Sequence, residues 1–231
     1  GLFGRLSGSV SNLEIENFNI TGSSYLGGLC GYNDYGTISN CYTTGVISGD
    51  GALGGLCGTS YGGTISNCSA NSSILGRGGP IGGLCAYNEI GIIDNCVASG
   101  SVTVNGSVSG GHSLGGLCGG NLNGTINNSS ANVSVTGFKD YINLGGLCGK
   151  NSGSINNCYA TGSVYVENYY NDSSNSFGGL CGRNSGSINN CYATGTVTGD
   201  HYLGGLCGSN NSIINNCYAT GAVTGEYNLG G

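Results

Sequence analysis

The stretch Gly145-Gly146-Leu147-Cys148-Gly149-Lys150-Asn151-Ser152-Gly153-Ser154-Ile155-Asn156-Asn157-Cys158-Tyr159-Ala160-Thr161-Gly162-Ser163-Val164 decides the fold, because it returns at 178–197 with two substitutions, Arg183 for Lys150 and Thr196 for Ser163. Its signature Gly-Gly-Leu-Cys begins at Gly27, Gly54, Gly82, Gly115, Gly145, Gly178 and Gly204, and the first cysteines are 27, 28, 33, 30, 33 and 26 residues apart. Self-similarity at this period marks a repeat architecture. The length varies only after the "V" segment, as at 101–113 and 163–177, the behaviour of loops on one side of a stacked array.

Within a unit the apolar runs are short and separated by Gly or Asn: Gly-Gly-Leu-Cys, then Thr-Ile-Ser-Asn-Cys, then Gly-Val-Ile-Ser. Three short strands per unit are expected. Such a unit cannot bury its apolar side alone, whereas units stacked at about 4.8 Å share one core and pair their backbones with the coils above and below. The expectation is an all-β parallel β-solenoid, or β-helix, of seven complete three-strand coils of about 26–33 residues with partial units at both ends. Residues 1–26 form an atypical leading coil, 27–226 the repeats, and 227–231 the start of a further one.

Composition supports a thin rod. Of 231 residues 50 are Gly, 30 Ser and 30 Asn, with one Pro, no Met and no Trp, so the good helix formers of a bundle are scarce. Leu29, Leu56, Leu84, Leu117, Leu147, Leu180 and Leu206 should form one inward ladder and Ile38, Ile65, Ile93, Ile126, Ile155, Ile188 and Ile214 another. Thr43, Ala70, Ala98, Ala131, Ala160, Ala193 and Ala219 supply a small inward residue, so alternation sends Tyr42, Tyr159, Tyr192 and Tyr218 outward. Two series of Asn, one after "GLCG" and one before the second Cys, suit bends and ladders between coils.

The units also resemble a known family. Segments such as "GGLCGKNSGSINNCYATGSV" look like the GLUG-motif repeats of large bacterial surface and secreted proteins, from Gly27 to the end of the chain, and 1–22 resembles the atypical segment that often precedes such arrays. The resemblance implies an extracellular scaffold without known chemistry of its own, found beside adhesins, stalks and proteases. The departure from the family pattern is Cys where Val or Ser is usual.

Thirteen cysteines fall into six within-unit pairs: Cys30 with Cys41, Cys57 with Cys68, Cys85 with Cys96, Cys148 with Cys158, Cys181 with Cys191 and Cys207 with Cys217. Cys118 is left over, since Ser129 holds its partner position. A disulfide in each coil is the favoured reading, closing loops of about 11 residues at roughly 3 kcal/mol each, with pairing between stacked coils as the rival. Disulfides imply an oxidising, secreted or cell-surface location. No two Cys are closer than ten residues, so zinc, iron–sulfur and redox motifs are not expected, and no cofactor or metal is assigned.

Net charge is −6, with only five Lys and Arg, which excludes a basic stripe for nucleic acid, and no apolar run is long enough to span a membrane. Among the carboxylates, Asp200 and Glu226 share a slot in successive coils and could share a Ca²⁺ or a proton; Asp50 holds that slot far away, and loop acids are the expected reading. No enzyme is expected. A carbohydrate-binding or carbohydrate-active β-helix and an ice-binding solenoid are the alternatives, the latter weakened because Ser72 and Ser99 interrupt the row of Thr44, Thr161, Thr194 and Thr220. A binding loop would use Tyr165, Tyr169, Tyr170, Phe138 and Tyr141, and the sequons best placed for glycosylation are Asn105 and Asn171. The ends read as open rungs. The expected partners are therefore other copies or flanking segments of the same solenoid, and a glycan or surface receptor.

Overall fold

A computed structural model describes residues 1–105, 112–138, 142–167 and 175–231. The described residues are all β and contain no helix. They wind as a parallel β-solenoid whose equivalent strands form four sheets, the walls of the rod. The first wall stacks Phe3–Leu6, Cys30–Asp34, Cys57–Tyr61 and so on to Cys207–Asn210; the second runs from Ser9–Ser11 to Ile213–Asn215. The third begins with Glu14–Thr21 and Tyr42–Gly49, and the fourth runs from Leu26–Gly27 to Tyr227–Gly230.

Four walls replace the three strands expected per coil. The difference arises inside Gly-Gly-Leu-Cys, which is not one strand: the chain bends at Gly28 and Leu29, ending a fourth-wall strand at Gly27 and starting a first-wall strand at Cys30. The "YATG" and "V" segments instead join in one eight-residue strand in the early coils, such as Ser69–Gly76, and separate in the later ones, as in Tyr192–Ala193 and Val197–Thr198. Counted from the first wall the chain makes eight turns. Residues 3–27 already close a coil, with a register shift between Ile15 and Phe18, and Tyr227–Gly230 is the fourth wall of the last.

The core is a column. The Leu and Ile ladders point inward as expected and are fully buried from Leu29 to Leu180 and from Ile38 to Ile188. Thr43 and Ala70 to Ala193 are buried beside them, while Tyr159 and Tyr218 are exposed. Tyr192 stacks nearly parallel on both, at 4.9 and 5.2 Å between ring centres. Asn40, Asn67, Asn95, Asn128, Asn157, Asn190 and Asn216 occupy the bend before the second Cys position with φ between 47 and 54°, the left-handed region that Asn tolerates best among side-chain-bearing residues.

From Gly28 to Gly179, a Cβ at the second Gly of each pair would strike the equivalent Gly carbonyl of the next coil. A Cβ at Gly146 would sit on the Gly179 carbonyl oxygen and close to the Ala160 methyl, whereas one at Gly4 meets nothing. Gly146→Ala should therefore cost about 1–3 kcal/mol in chemical denaturation, the range for overpacking a filled core. Gly4→Ala should leave the midpoint nearly unchanged.

Candidate functional site

The chemistry-bearing side chains lie in ladders along the rod. All thirteen cysteines are free thiols in this structure, so the within-coil bridges are not formed in it. First-position cysteines stand opposite their equivalents, Cys30 by Cys57, Cys57 by Cys85, Cys85 by Cys118, and onward through Cys148 and Cys181 to Cys207. The sulfurs of Cys30 and Cys57 are 3.5 Å apart. Hydrogen bonds with the thiols above and below, together with burial, push Cys57 and Cys181 well up from the ordinary thiol range. Cys118, the unpaired cysteine of the sequence reading, is one more member of this row and is raised by Cys148 and by burial. Cys148 and Cys207, in the same row, are lowered instead by hydrogen bonds from the thiols beside them.

The second-position cysteines make a different row. The Cys41 amide donates to the Cys68 sulfur at 3.4 Å, and the Cys158 and Cys191 amides donate to Cys191 and Cys217 at 3.3 Å. Each thiol donates to the carbonyl two residues back, as Cys68 does to Ser66 at 3.1 Å and Cys96 to Asp94 at 3.2 Å. Ser129 fits the same scheme: its hydroxyl receives the Cys96 amide at 3.0 Å and donates to the Asn127 carbonyl at 2.6 Å.

The Asn after "GLCG" forms the ladder between coils that the sequence suggested, and it is buried from Asn88 to Asn184. The Nδ2 of Asn88 donates to Asn121 Oδ1 at 2.9 Å, Asn121 to Asn151 at 2.8 Å, Asn151 to Asn184 at 2.9 Å and Asn184 to Asn210 at 2.8 Å. The same nitrogens donate to the Gly carbonyl that closes the turn, as from Asn121 to Gly124 at 3.1 Å. These Asn do not take positive φ, and the paired N and G of the motif are one hydrogen-bonded turn. Outer Asn rows run the other way: Asn156 donates back to Asn127, Asn189 to Asn156 and Asn215 to Asn189, at 3.0–3.2 Å.

The sequence of the chain carries the GLUG motif seven times, at residues 22–48, 49–75, 79–105, 110–136, 140–165, 173–198 and 199–224. The chain belongs to the GLUG-motif family. A solved structure with the same fold, the "putative immunoglobulin A1 protease" of Bacteroides ovatus, is 22% identical with a TM-score of 0.50. The match covers 85% of this chain and 62% of that one, so the GLUG chain spans less than two thirds of its relative. No curated protein matched.

Outside the ladders this GLUG solenoid brings together less than the sequence offered. Asp200 and Glu226 do lie in adjacent coils, joined by the Glu226 amide and the Asp200 carbonyl at 3.2 Å, but the Asp200 carboxylate approaches His201 Nε2 at 3.4 Å. His201 in turn stacks on Tyr227 at 4.7 Å. This trio was missed, although its signal was present: His201 follows Asp200 as Tyr227 follows Glu226. Asp50 lies 3.7 Å from Arg77 at the surface. Among the described residues no group of three or more His, Cys, Asp or Glu could hold a metal ion.

The register also corrects the Thr row. Thr44 stands opposite Asn71, which stands opposite Ser99, and Ser99 opposite Asn132; Ser72 is one position further on and buried. Of the binding-loop residues, Tyr165 is exposed within Val164–Glu167, opposite Thr136, and Phe138 is half-buried at the end of the neighbouring third-wall strand. Tyr169, Tyr170, Tyr141 and the sequon Asn171 lie outside the described residues. Asn105 is exposed, its amide donating to the Gly76 carbonyl at 3.0 Å.

One position breaks the buried Asn ladder. Asn33 donates to the short Ser60 hydroxyl at 3.0 Å, and the Asn88 Oδ1 beyond it is buried with no donor. Ser60→Asn should bridge the gap and stabilise the protein by about 1 kcal/mol, the net value of one such hydrogen bond. Asn121→Leu should cost at least that much by orphaning the amides on either side. Urea denaturation monitored by circular dichroism reads both.

Proposed function

We propose that this GLUG array is a rigid, non-catalytic spacer within a secreted or cell-surface protein, holding neighbouring segments of its chain apart. The observation that carries the reading is the continuity of register: the first, second and fourth sheets run unbroken through eight strands, and the third is continuous along its whole path. Bending or pulling such a rod apart at any coil breaks the backbone bonds of four walls together with the side-chain ladders. A flexible linker of the same composition would resist neither.

Several features support a spacer rather than an enzyme. The rows that repeat, inward Leu and Ile and outward Asn alike, pack or hydrogen-bond to their own equivalents in the next coil, so the chain's regularity serves stacking. The carboxylate, His and Tyr at the Asp200 site are held by one another. Likeness to the Bacteroides ovatus protein is one of fold. Flanking solenoid segments are the natural partners of such a rod, since each wall presents strand edges that another coil can pair.

Small-angle scattering and electron microscopy of the purified chain should show stiff single rods with an axial length of roughly 35–40 Å, eight strand spacings. A compact flexible ensemble would overturn the spacer, and continuous filaments many times that length would make the chain a fibre subunit instead. Brief protease treatment of intact producing cells, followed by mass spectrometry, should release peptides of this chain. Recovery only after lysis would overturn the surface location.

A further inference from the structure

The two cysteine rows differ in what their sulfurs do, and the difference separates their redox fates. On the first wall the Cys amides pair with backbone carbonyls, Cys57 with Leu84 at 3.0 Å, Cys85 with Leu117 at 3.1 Å and Cys148 with Leu180 at 3.0 Å. Their sulfurs face one another. In-register parallel strands about 4.8 Å apart place these Cα atoms within the range of about 4.4–6.8 Å that disulfides span. In the second row the thiols also meet their equivalents, Cys68 with Cys96 and Cys158 with Cys191, but there sulfur is in addition the acceptor for the amide of the preceding coil. Ser129 meets that requirement with oxygen, so the position asks for a hydrogen-bonding atom and not for a cross-link.

We propose that the first-wall cysteines form a cross-linking column, joined in pairs between neighbouring coils, while the second row remains thiol. The geometry replaces the within-coil scheme of the sequence reading: the groups acting on the described thiols are their row equivalents and nearby backbone, and none is the within-coil partner. Each link forms by two exchanges with a small disulfide such as oxidised glutathione. A cysteine thiolate attacks one sulfur of the reagent and displaces the other half, which takes up a proton; the neighbouring thiolate then attacks the protein sulfur of the mixed disulfide and releases the second half. The protein loses two protons and two electrons per bond, and the reagent is reduced to two thiols. Because the column is buried once folded, exchange occurs as successive coils dock.

Parity then fixes the count. Seven thiols in one unbroken row, Cys30 through Cys207, pair to at most three bonds with one thiol left, the count reached as exchange in a redox buffer re-sorts any arrangement that strands single thiols between bonds. The full chain, refolded in glutathione redox buffer, alkylated in denaturant and mapped without reduction, should show three links between adjacent first-wall cysteines and seven alkylated thiols. Cys57→Ser isolates Cys30 and leaves a run of five, so the bonds fall to two; Cys85→Ser leaves runs of two and four, so three bonds persist. A Cys30 to Cys41 link, any bond that skips a coil or lies within the second row, thirteen free thiols, or equal bond counts in the two variants would overturn the column. If either variant fails to fold, the map of the unmodified chain decides alone.

Discussion

Each coil lies directly on the one before it, one strand spacing away, so the nearest neighbour of almost every residue is its own equivalent. At about 4.8 Å only groups that tolerate themselves can occupy a row. Leu and Ile do so by dispersion, Asn because one amide is donor at one end and acceptor at the other, and Tyr by parallel stacking. Charges do so at a cost, since like charges directly opposite one another repel, and they are correspondingly few, Lys150 opposite Arg183 being one such pair. A chain with 7% charged residues and 30 Asn is what that constraint selects. The ion pairs that do occur join unlike slots or unlike residues, such as Arg5 with Asp34 and Arg77 with Asp50.

The same constraint explains how far the sequence could be read. Rows that repeat one residue type announce themselves, so the Leu, Ile and Ala ladders, the outward Tyr and the family itself were evident before any coordinates. What repetition cannot reveal is where the chain turns. Gly28 and Leu29 form a corner and Cys30 a strand, yet all belong to one conserved string within the chain, and this is why a fourth wall went unseen. Nor does repetition tell which of two Asn rows is buried. That depends on whether the amide closes a turn onto Gly124 or sits in a left-handed bend before Cys, and both positions read simply as Asn.

The cysteines were the hardest to place because proximity in sequence competes with proximity in space. Eleven residues separate Cys30 from Cys41 and twenty-seven separate it from Cys57, yet Cys57 is the neighbour. In a solenoid the repeat length is the short distance. Ser129 was read as a missing cysteine, and the structure gives it the same two hydrogen bonds as a thiol. Asp200, His201 and Tyr227 were obscured for a similar reason, since their contact crosses from one coil to the next between residues of different kinds.

The opposed directions of the Asn rows have an electrical consequence. Parallel strands contribute little net dipole along the stacking axis, but a row of side-chain amides joined head to tail adds every member in one sense. The buried row, from Asn88 to Asn210, points its N–H groups toward later coils, and the outer rows at Asn127–Asn215 and Asn128–Asn216 point theirs back. From Asn121 onward each coil therefore sets one forward-pointing amide against two that point back, and the opposed rows keep the axial field below what rows of one sense would build as coils are added.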